Sequence, residues 1–184
     1  MTRTLYLFCS AAPPVFDVAR VIEAAQSRGW DVCLGLTPTA AGWLAQSLDG
    51  LAVLTGHPVR WQYPHPAEAD TWPRADAVLL APATFHTVNA WAQGLTDRYV
   101  VGVVAEGLGA GLPMVAVPCL NEALARHPQF DRSVALLRTA GAQLLYGEEV
   151  PRAAQGAAEP PAGSPQVFPW EAALDAVDAK VPAG

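Results

Sequence analysis

The sequence has few basic residues, few cysteines and no long apolar run. Eleven Lys and Arg against seventeen Asp and Glu give a formal net charge of −6, which argues against nucleic-acid binding because that requires clustered cations. No stretch approaches the roughly 18 apolar residues of a membrane span. The apolar run within residues 1–9 is also too short for the core of a signal peptide. We therefore expect a cytoplasmic protein that binds neither membranes nor nucleic acid.

Two other scarcities narrow the class of protein. The cysteines, Cys9, Cys33 and Cys119, are three in number and each lies in an apolar run, which favours buried reduced thiols over disulfides or a metal site. The chain also lacks the glycine-rich dinucleotide fingerprint after its first apolar run, and it lacks the lysine motif of phosphate loops. These absences disfavour a metal centre and NAD bound in its usual mode.

Apolar runs of strand length alternate with stretches of helical periodicity along most of the chain. With 184 residues, of which 52% are hydrophobic, the chain can bury one sizeable core. The alternation predicts an α/β fold, a doubly wound parallel sheet of the Rossmann-like or flavodoxin-like type, with helices on both faces in three layers. The predicted strands are residues 5–9, 31–36, 77–81, 113–118 and 143–146, with 59–62 as a further candidate, and the predicted helices are 15–28, 40–48, 84–95, 97–108, 121–139 and 170–181.

Composition divides the chain into three parts. Residues 1–146 form the main domain, and residues 147–169, rich in Ala, Gly, Pro and Glu, are predicted to be a flexible flap or linker. Residues 170–184 are a C-terminal helix and tail, and the apolar face of this helix docks on the body or on a neighbouring chain. Within the main domain, residues 55–73 carry two histidines and no clean period. Such a loop either covers a ligand site or is a plain connection.

Small hydroxyl side chains follow three of the predicted strands. Ser10 follows the first strand, Thr37 and Thr39 follow the second, and Thr84 and Thr87 follow the central one. Ligands of a doubly wound sheet bind outside the carboxyl ends of its strands, where hydroxyls and free helix amides suit a phosphate monoester. The alternative for each residue alone is simple helix capping. Their convergence at one edge of the sheet favours an anion site.

The stretch over residues 75–97 joins an apolar strand, a turn and a helix, and it contains LLAPATFHTVNAWAQGLTD. Two further stretches follow it, VAVPCLNEALARHP and RSVALLRTAGAQLL. Over residues 4–146 the chain resembles the flavoprotein family of homo-oligomeric FMN-containing cysteine decarboxylases. That family includes phosphopantothenoylcysteine decarboxylase and the peptidyl-cysteine decarboxylases of ribosomal-peptide biosynthesis. Its first motif is a strand with a Pro-Ala-Ser/Thr-Ala-Asn-Thr turn that ends in Gly-x-x-Asp, and its second is Pro-x-Met-Asn.

The resemblance implies FMN as the cofactor. The FMN phosphate would lie on Ser10 and Thr39 beside Thr37, and Asp97 would close the pocket. The residues implied around the flavin ring are Pro82, Ala83, Thr84 and Thr87. Asn121 would stand where the family asparagine meets the carboxylate of the substrate, because an amide can donate to a carboxylate without adding a charge. The alternative for Asn121 is the N-cap of the next helix.

The chain departs from the family pattern at several points. The turn carries Phe85 and His86 where the family has Ala and Asn, and His86 is a candidate for substrate binding. The family histidine that serves as acid or base aligns without gaps with Glu68, while His65 lies three residues earlier, so either could transfer protons. The Met of the second motif is Leu120, and no cysteine follows Cys119. A reducing cysteine on a clamp, as in the coenzyme A pathway enzyme, is therefore missing.

The resemblance implies an FMN-dependent oxidoreductase that oxidatively decarboxylates the C-terminal cysteine of a peptide, with His65, Glu68 and Asn121 as catalytic candidates. The alternative is a flavin-binding subunit or regulatory protein without cysteine decarboxylase activity, and a third interpretation is a prenyltransferase or synthase subunit of the flavin fold. The resemblance also implies a homo-oligomer, a trimer or a dodecamer, with FMN at the subunit interface. Trp91 is then either an interface residue or an ordinary core tryptophan.

Overall fold

A five-stranded parallel sheet forms the centre of the fold in the computed structural model, which describes residues 2–65, 67, 71–146 and 168–182. Its strands are β1 (Arg3–Cys9), β2 (Trp30–Leu36), β3 (Ala77–Ala83), β4 (Met114–Pro118) and β5 (Gln143–Leu144). They stand in the order β2-β1-β3-β4-β5, and every pairing between these strands is parallel. The predicted doubly wound sheet is confirmed.

Helices cover both faces of the sheet. In the described residues they are α1 (Val18–Ser27), α2 (Pro38–Trp43), α3 (Leu48–Thr55), α4 (Phe85–Ala92), α5 (Tyr99–Gly109), α6 (Glu122–Ala125), α7 (Pro128–Thr139) and α8 (Trp170–Lys180). A short 3₁₀ helix, Pro13–Asp17, leads into α1. Over the same ranges, no helix is both long and apolar enough to cross a membrane.

Alternate residues of each strand supply two separate cores, because successive side chains of a strand point to opposite faces of the sheet. Leu5, Leu7 and Leu79 are buried in the core that also contains residues of α1, α2, α3 and α8. Phe8 and Leu80 are buried in the other core, with residues of α4, α5 and α7. Strands buried on both faces explain why the sequence shows continuous apolar runs. The three-layer arrangement predicted from the sequence is thus confirmed.

Trp91 belongs to the second core. Its side chain is 2% exposed, and its indole N–H donates to the carbonyl oxygen of Val104 at 3.1 Å. Of the two interpretations of this residue, the structure supports the core tryptophan, which joins α4 to α5 within one chain.

Some predicted boundaries are wrong in detail. The helix predicted over residues 40–48 is α2, which ends at Trp43, and a second helix, α3, begins only at Leu48. The candidate strand over residues 59–62 is reduced to one bridge, in which Arg60 pairs with Leu34 and Leu36 at the free edge of β2. This bridge nevertheless carries the following loop toward the carboxyl end of the sheet, because it is parallel to β2.

The C-terminal helix docks on the body of the protein. Its buried inward face consists of Ala173, Leu174 and Val177, and α8 packs against β3 and β4. On its outer side, Arg28 at the end of α1 makes ion pairs with three carboxylates of α8, at 2.6 Å from Glu171, 2.7 Å from Asp175 and 3.0 Å from Asp178. Most of the predicted flap, residues 147–167, lies outside the described residues.

All three cysteines are buried and none of them forms a disulfide, as expected for a protein with reduced thiols. Burial raises the pKa of the Cys9 thiol above its ordinary value and raises the pKa of Cys119 to about 11. The thiolate is the reactive form, so a raised pKa lowers reactivity near neutral pH by about 100-fold at Cys119.

We expect Ellman's reagent near neutral pH to label none of the three cysteines in the folded protein and all three after denaturation in guanidinium chloride. Labelling of Cys119 in the folded protein should accelerate only as the pH approaches its raised pKa. Stoichiometric labelling of folded Cys119 near neutral pH would contradict this burial.

Candidate functional site

The strand order creates a crevice between β1 and β3. The chain leaves the carboxyl end of β1 toward β2 on one side, and it leaves β3 toward β4 on the other. In doubly wound sheets, ligands bind at this change of direction, outside the carboxyl ends of the strands. The hydroxyl residues predicted from the sequence lie at the same edge.

Three of these hydroxyls form one hydrogen-bonded chain across the crevice. The Ser10 hydroxyl, at the end of β1, donates to Thr87 Oγ1 at 2.9 Å, and Thr87 Oγ1 is 3.0 Å from Thr84 Oγ1 at the end of β3. Ser10 is 1% and Thr87 is 2% exposed. The backbone N–H of Ser10 also donates to the Pro82 carbonyl at 2.8 Å, which fixes the two strand ends together. The structure thus joins residues 77 positions apart into one polar cluster.

Thr37 and Thr39 line the neighbouring strand end. The backbone N–H of Thr37 donates to the Cys9 carbonyl at 2.9 Å, so the end of β2 is fixed beside the end of β1. Thr37 is the N-cap residue of α2, yet its side chain makes no capping hydrogen bond, and Thr39 is exposed in the first turn. Capping, the alternative function of these hydroxyls, is therefore observed at Thr84, which accepts from the Thr87 N–H, and not at Thr37. The Thr37 hydroxyl makes no capping hydrogen bond and adjoins the free N–H groups at the start of α2, so it is chemically suited to bind an anion.

Asn121 lies at the adjoining corner, after β4. The Cys119 N–H donates to the Ala83 carbonyl at 2.8 Å, which brings this corner against the end of β3. The Asn121 side chain is exposed, and its Oδ1 accepts from the Leu124 N–H at 2.9 Å as the N-cap of α6. Capping uses only the oxygen of the amide, so the NH₂ group is left to donate to a ligand. The cap and the carboxylate-binding interpretation are compatible in one side chain.

Phe85 and His86, which replace the Ala-Asn of the family turn, take different directions. The Phe85 ring packs against the rings of Phe130 and His127, with centroid distances of 6.0 Å and 5.4 Å. It therefore ties the start of α4 to the start of α7. His86 is exposed to solvent in the first turn of α4.

The remaining predicted site residues are not part of the hydroxyl cluster. Asp97 is exposed, and a carboxylate oxygen lies 3.6 Å from Nε of Arg98. His65 is exposed in the loop before β3, and its Nδ1 accepts from the Ala67 N–H at 3.2 Å. This bond leaves Nε2 as the protonated nitrogen of the neutral imidazole. Glu68 lies outside the described residues.

The structure also adds a residue that the sequence did not indicate. The indole N–H of Trp170 is buried and has no hydrogen-bond partner among the described residues. The last turn of α8 lies at the amino ends of the strands, where the Arg3 side chain donates to the Val181 carbonyl and Trp30 donates to Asp178. Trp170 is the first residue of α8 and lies in the core that this helix shares with β3 and β4.

The sequence model of one protein family, described as Flavoprotein, matches residues 2–181. The chain belongs to the flavoprotein family. The resemblance seen in the motifs is therefore confirmed at the level of the family. Among curated proteins, none is significantly similar in sequence to this flavoprotein.

Solved structures of two decarboxylases share the fold of this flavoprotein. The FMN-dependent cysteine decarboxylase TvaF from thioviridamide biosynthesis is 25% identical over 78% of this chain and 90% of its own, with a TM-score of 0.61. The cypemycin decarboxylase CypD is 18% identical over 96% of this chain and 92% of its own, with a TM-score of 0.71.

A structure with a second ligand beside FMN is similarly close in fold. AnUbiX, solved in complex with FMN and dimethylallyl pyrophosphate, is 16% identical over 97% of this flavoprotein and 93% of its own chain, with a TM-score of 0.69. FMN thus recurs among the structural relatives.

Proposed function

We propose that this flavoprotein binds FMN in the crevice between β1 and β3 and oxidatively decarboxylates a peptide that ends in cysteine. The observation that carries the proposal is the hydroxyl chain of buried Ser10 and Thr87 with half-buried Thr84, at the strand ends where doubly wound sheets generally bind ligands. The cysteine decarboxylases TvaF and CypD, which share the fold, support the substrate class.

The donors at the crevice fit FMN without further residues. Ser10, Thr37 and Thr39 would bind the phosphate, because their hydroxyls adjoin the electropositive start of α2. Residues 82–84 and Thr87 would line the flavin ring. When bound, FMN supplies the two-electron acceptor that the reaction needs.

The substrate side of the proposal rests on Asn121. Its free NH₂ group would donate to the substrate carboxylate, and its neutral amide would orient this group without the strong ion pair that would oppose loss of CO₂. Exposed His86 would contact the rest of the peptide. In the balanced reaction, the C-terminal cysteine loses its carboxylate as CO₂ and gives up a hydride equivalent, which bound FMN would accept, and the peptide product is an enethiol. His65 or Glu68 would transfer the proton of the thiol.

Self-association is part of the proposal. The rings of Phe16 and Trp43 stack with a centroid distance of 5.9 Å, although the residues are 63% and 47% exposed. They follow β1 and β2, so this apolar surface adjoins the proposed phosphate site. Contact with a second copy would bury it and enclose the FMN at a subunit interface, in a trimer or a dodecamer. Three buried cysteines, none of them in a disulfide, support a reducing, cytoplasmic location.

The decisive experiment combines a spectrum with a substrate assay. We expect the purified protein to show the absorption bands of oxidised flavin, with FMN as the released cofactor. Under anaerobic conditions, a peptide ending in cysteine should bleach these bands and lose the mass of one CO₂ and two hydrogens. The matched peptide ending in serine should do neither.

Two other outcomes separate the alternatives. A protein that holds FMN but is reduced by no cysteine-ended peptide would be the flavin-binding subunit without decarboxylase activity. A colourless protein that takes up no FMN would overturn both interpretations.

A further inference from the structure

The loop between α3 and β3 is fastened to the body of the protein through Tyr63. The Tyr63 hydroxyl donates to the Thr96 carbonyl at 2.9 Å, and its ring packs edge-on against Tyr99 with a centroid distance of 5.6 Å. The hydroxyl lies in a notch on α5, because a Cβ atom added at Gly102 would be only 1.7 Å from Tyr63 Oη. Only glycine at position 102 leaves this notch open.

The presence of glycine at position 102, inside a helix, calls for a structural reason. Glycine in the interior of a helix is unfavourable relative to alanine, and Gly102 does not have the left-handed backbone conformation that would require it. Gly109 in the same helix differs, because a Cβ added there would meet no atom within 4 Å. Glycine at position 102 therefore permits the close approach of Tyr63, and a Cβ atom there would displace the half-exposed Tyr63 side chain.

Tyr63 connects two segments that carry predicted site residues. His65 follows it by two residues in the loop, and Asp97 follows the carbonyl of Thr96 that accepts its hydroxyl. Burial and then the negative charge of Asp97 raise the pKa of Tyr63, so the phenol stays protonated and able to donate. The bridge of Arg60 to β2 delivers the loop to this position from the edge of the sheet.

We propose that Tyr63 is a positioning residue, which seats the loop carrying His65 against the corner carrying Asp97 through the notch at Gly102. Tyr63 itself would not touch the reacting atoms. The proposal rests on the proposed function, in which His65 is a candidate for proton transfer.

The test fills the notch with the substitution Gly102→Ala and uses Gly109→Ala in the same helix as the matched control. In the FMN-loaded protein, Gly102→Ala should lower the rate of flavin reduction by a cysteine-ended peptide about 10- to 100-fold and change its pH profile, because the loop is displaced. FMN should remain bound. Tyr63→Phe, which keeps the ring and loses the hydrogen bond, should give a smaller loss in the same direction. Gly109→Ala should behave as the wild type.

A second readout does not depend on activity. Arg74 is exposed in the same loop. Because Gly102→Ala should release this loop from α5, trypsin should cleave after Arg74 faster in Gly102→Ala than in the wild type, and at the wild-type rate in Gly109→Ala. The double variant His65→Ala with Gly102→Ala should reduce flavin little more slowly than His65→Ala alone, since both substitutions remove the contribution of His65 to the rate.

The outcomes distinguish the two proposals. If His65→Ala slows flavin reduction while Gly102→Ala and Tyr63→Phe do not, the positioning role of Tyr63 is wrong and the proposed function stands. If the wild type oxidises no cysteine-ended peptide, the proposed function fails, and tryptic cleavage alone decides the seating of the loop. Cleavage after Arg74 at the wild-type rate in Gly102→Ala would overturn the proposal that Tyr63 seats the loop.

Discussion

Replacing Thr87 with valine is expected to weaken FMN binding by about 10- to 100-fold, because it removes the central member of the buried hydroxyl chain. Valine keeps the shape of the side chain. However, it leaves the Ser10 hydroxyl without its acceptor at 2.9 Å and Thr84 without its partner at 3.0 Å. An unpaired buried hydroxyl costs about 1–3 kcal/mol, and a distorted cluster no longer presents its donors to the cofactor.

Fluorescence titration of FMN into the apoprotein measures this effect. Thr87→Ser should retain most of the affinity because it keeps the hydroxyl. Thr139→Val is the matched control, since Thr139 is exposed at the end of α7 and its hydroxyl donates to the Ala135 carbonyl of the same helix, far from the hydroxyl chain in the sequence. The melting temperature of each apoprotein separates lost binding from lost folding. Equal FMN affinity in Thr87→Val and the wild type would show that the hydroxyl chain is not the FMN site.

The largest expected effect on stability comes from Gly35→Ala. A Cβ atom at this position in β2 would lie 2.3 Å from Cδ1 and Cε1 of Phe8 on the neighbouring strand. Phe8 is fully buried and is enclosed by the rings of Tyr6, Trp72 and Tyr99, so it has no free space into which to move. We expect a loss of about 3 kcal/mol in the free energy of unfolding, a large fraction of the total for a domain of this size.

Urea unfolding followed by far-ultraviolet circular dichroism measures the change in stability. Gly50→Ala in α3 is the control, because a Cβ there meets no atom within 4 Å and alanine is favoured in a helix. It should stabilise the protein by about 0.5–1 kcal/mol. A Gly35→Ala variant as stable as the wild type would mean that the ring of Phe8 can be displaced at little cost.

The sheet could be predicted from the sequence because its strands are buried on both faces. Such strands produce continuous apolar runs, so the sequence predicts strands over residues 77–81 and 113–118 without knowledge of the strands that pair with them. The hydroxyls at the strand ends were recognisable for a related reason, since the carboxyl ends of parallel strands share one edge. The predicted fold class therefore brings Ser10 close to Thr87, and in the structure their side chains are hydrogen-bonded.

Other features depend on contacts between distant parts of the chain, and no local pattern reports these. Nothing in the sequence around Gly102 indicates that Tyr63 fills the space above it. The direction of Phe85 depends on the ring of Phe130, and the burial of Trp170 depends on the docking of a whole helix. The helix predicted over residues 40–48 was misplaced because its apolar residues continue across the turn that separates α2 from α3.

The hydroxyl chain at the crevice has an electrical polarity. Each hydroxyl has one proton to donate, and in the structure the proton of Ser10 points to Thr87. A phosphate that accepts from Ser10 would turn this proton outward, so Thr87 would donate back to Ser10 and Thr84 would donate to Thr87 in turn. Thr84 Oγ1 caps α4 by accepting from the Thr87 N–H, so this cap would be kept in either direction of the chain. An anion bound at the end of β1 would in this way reset the dipoles beside β3 without movement of any heavy atom.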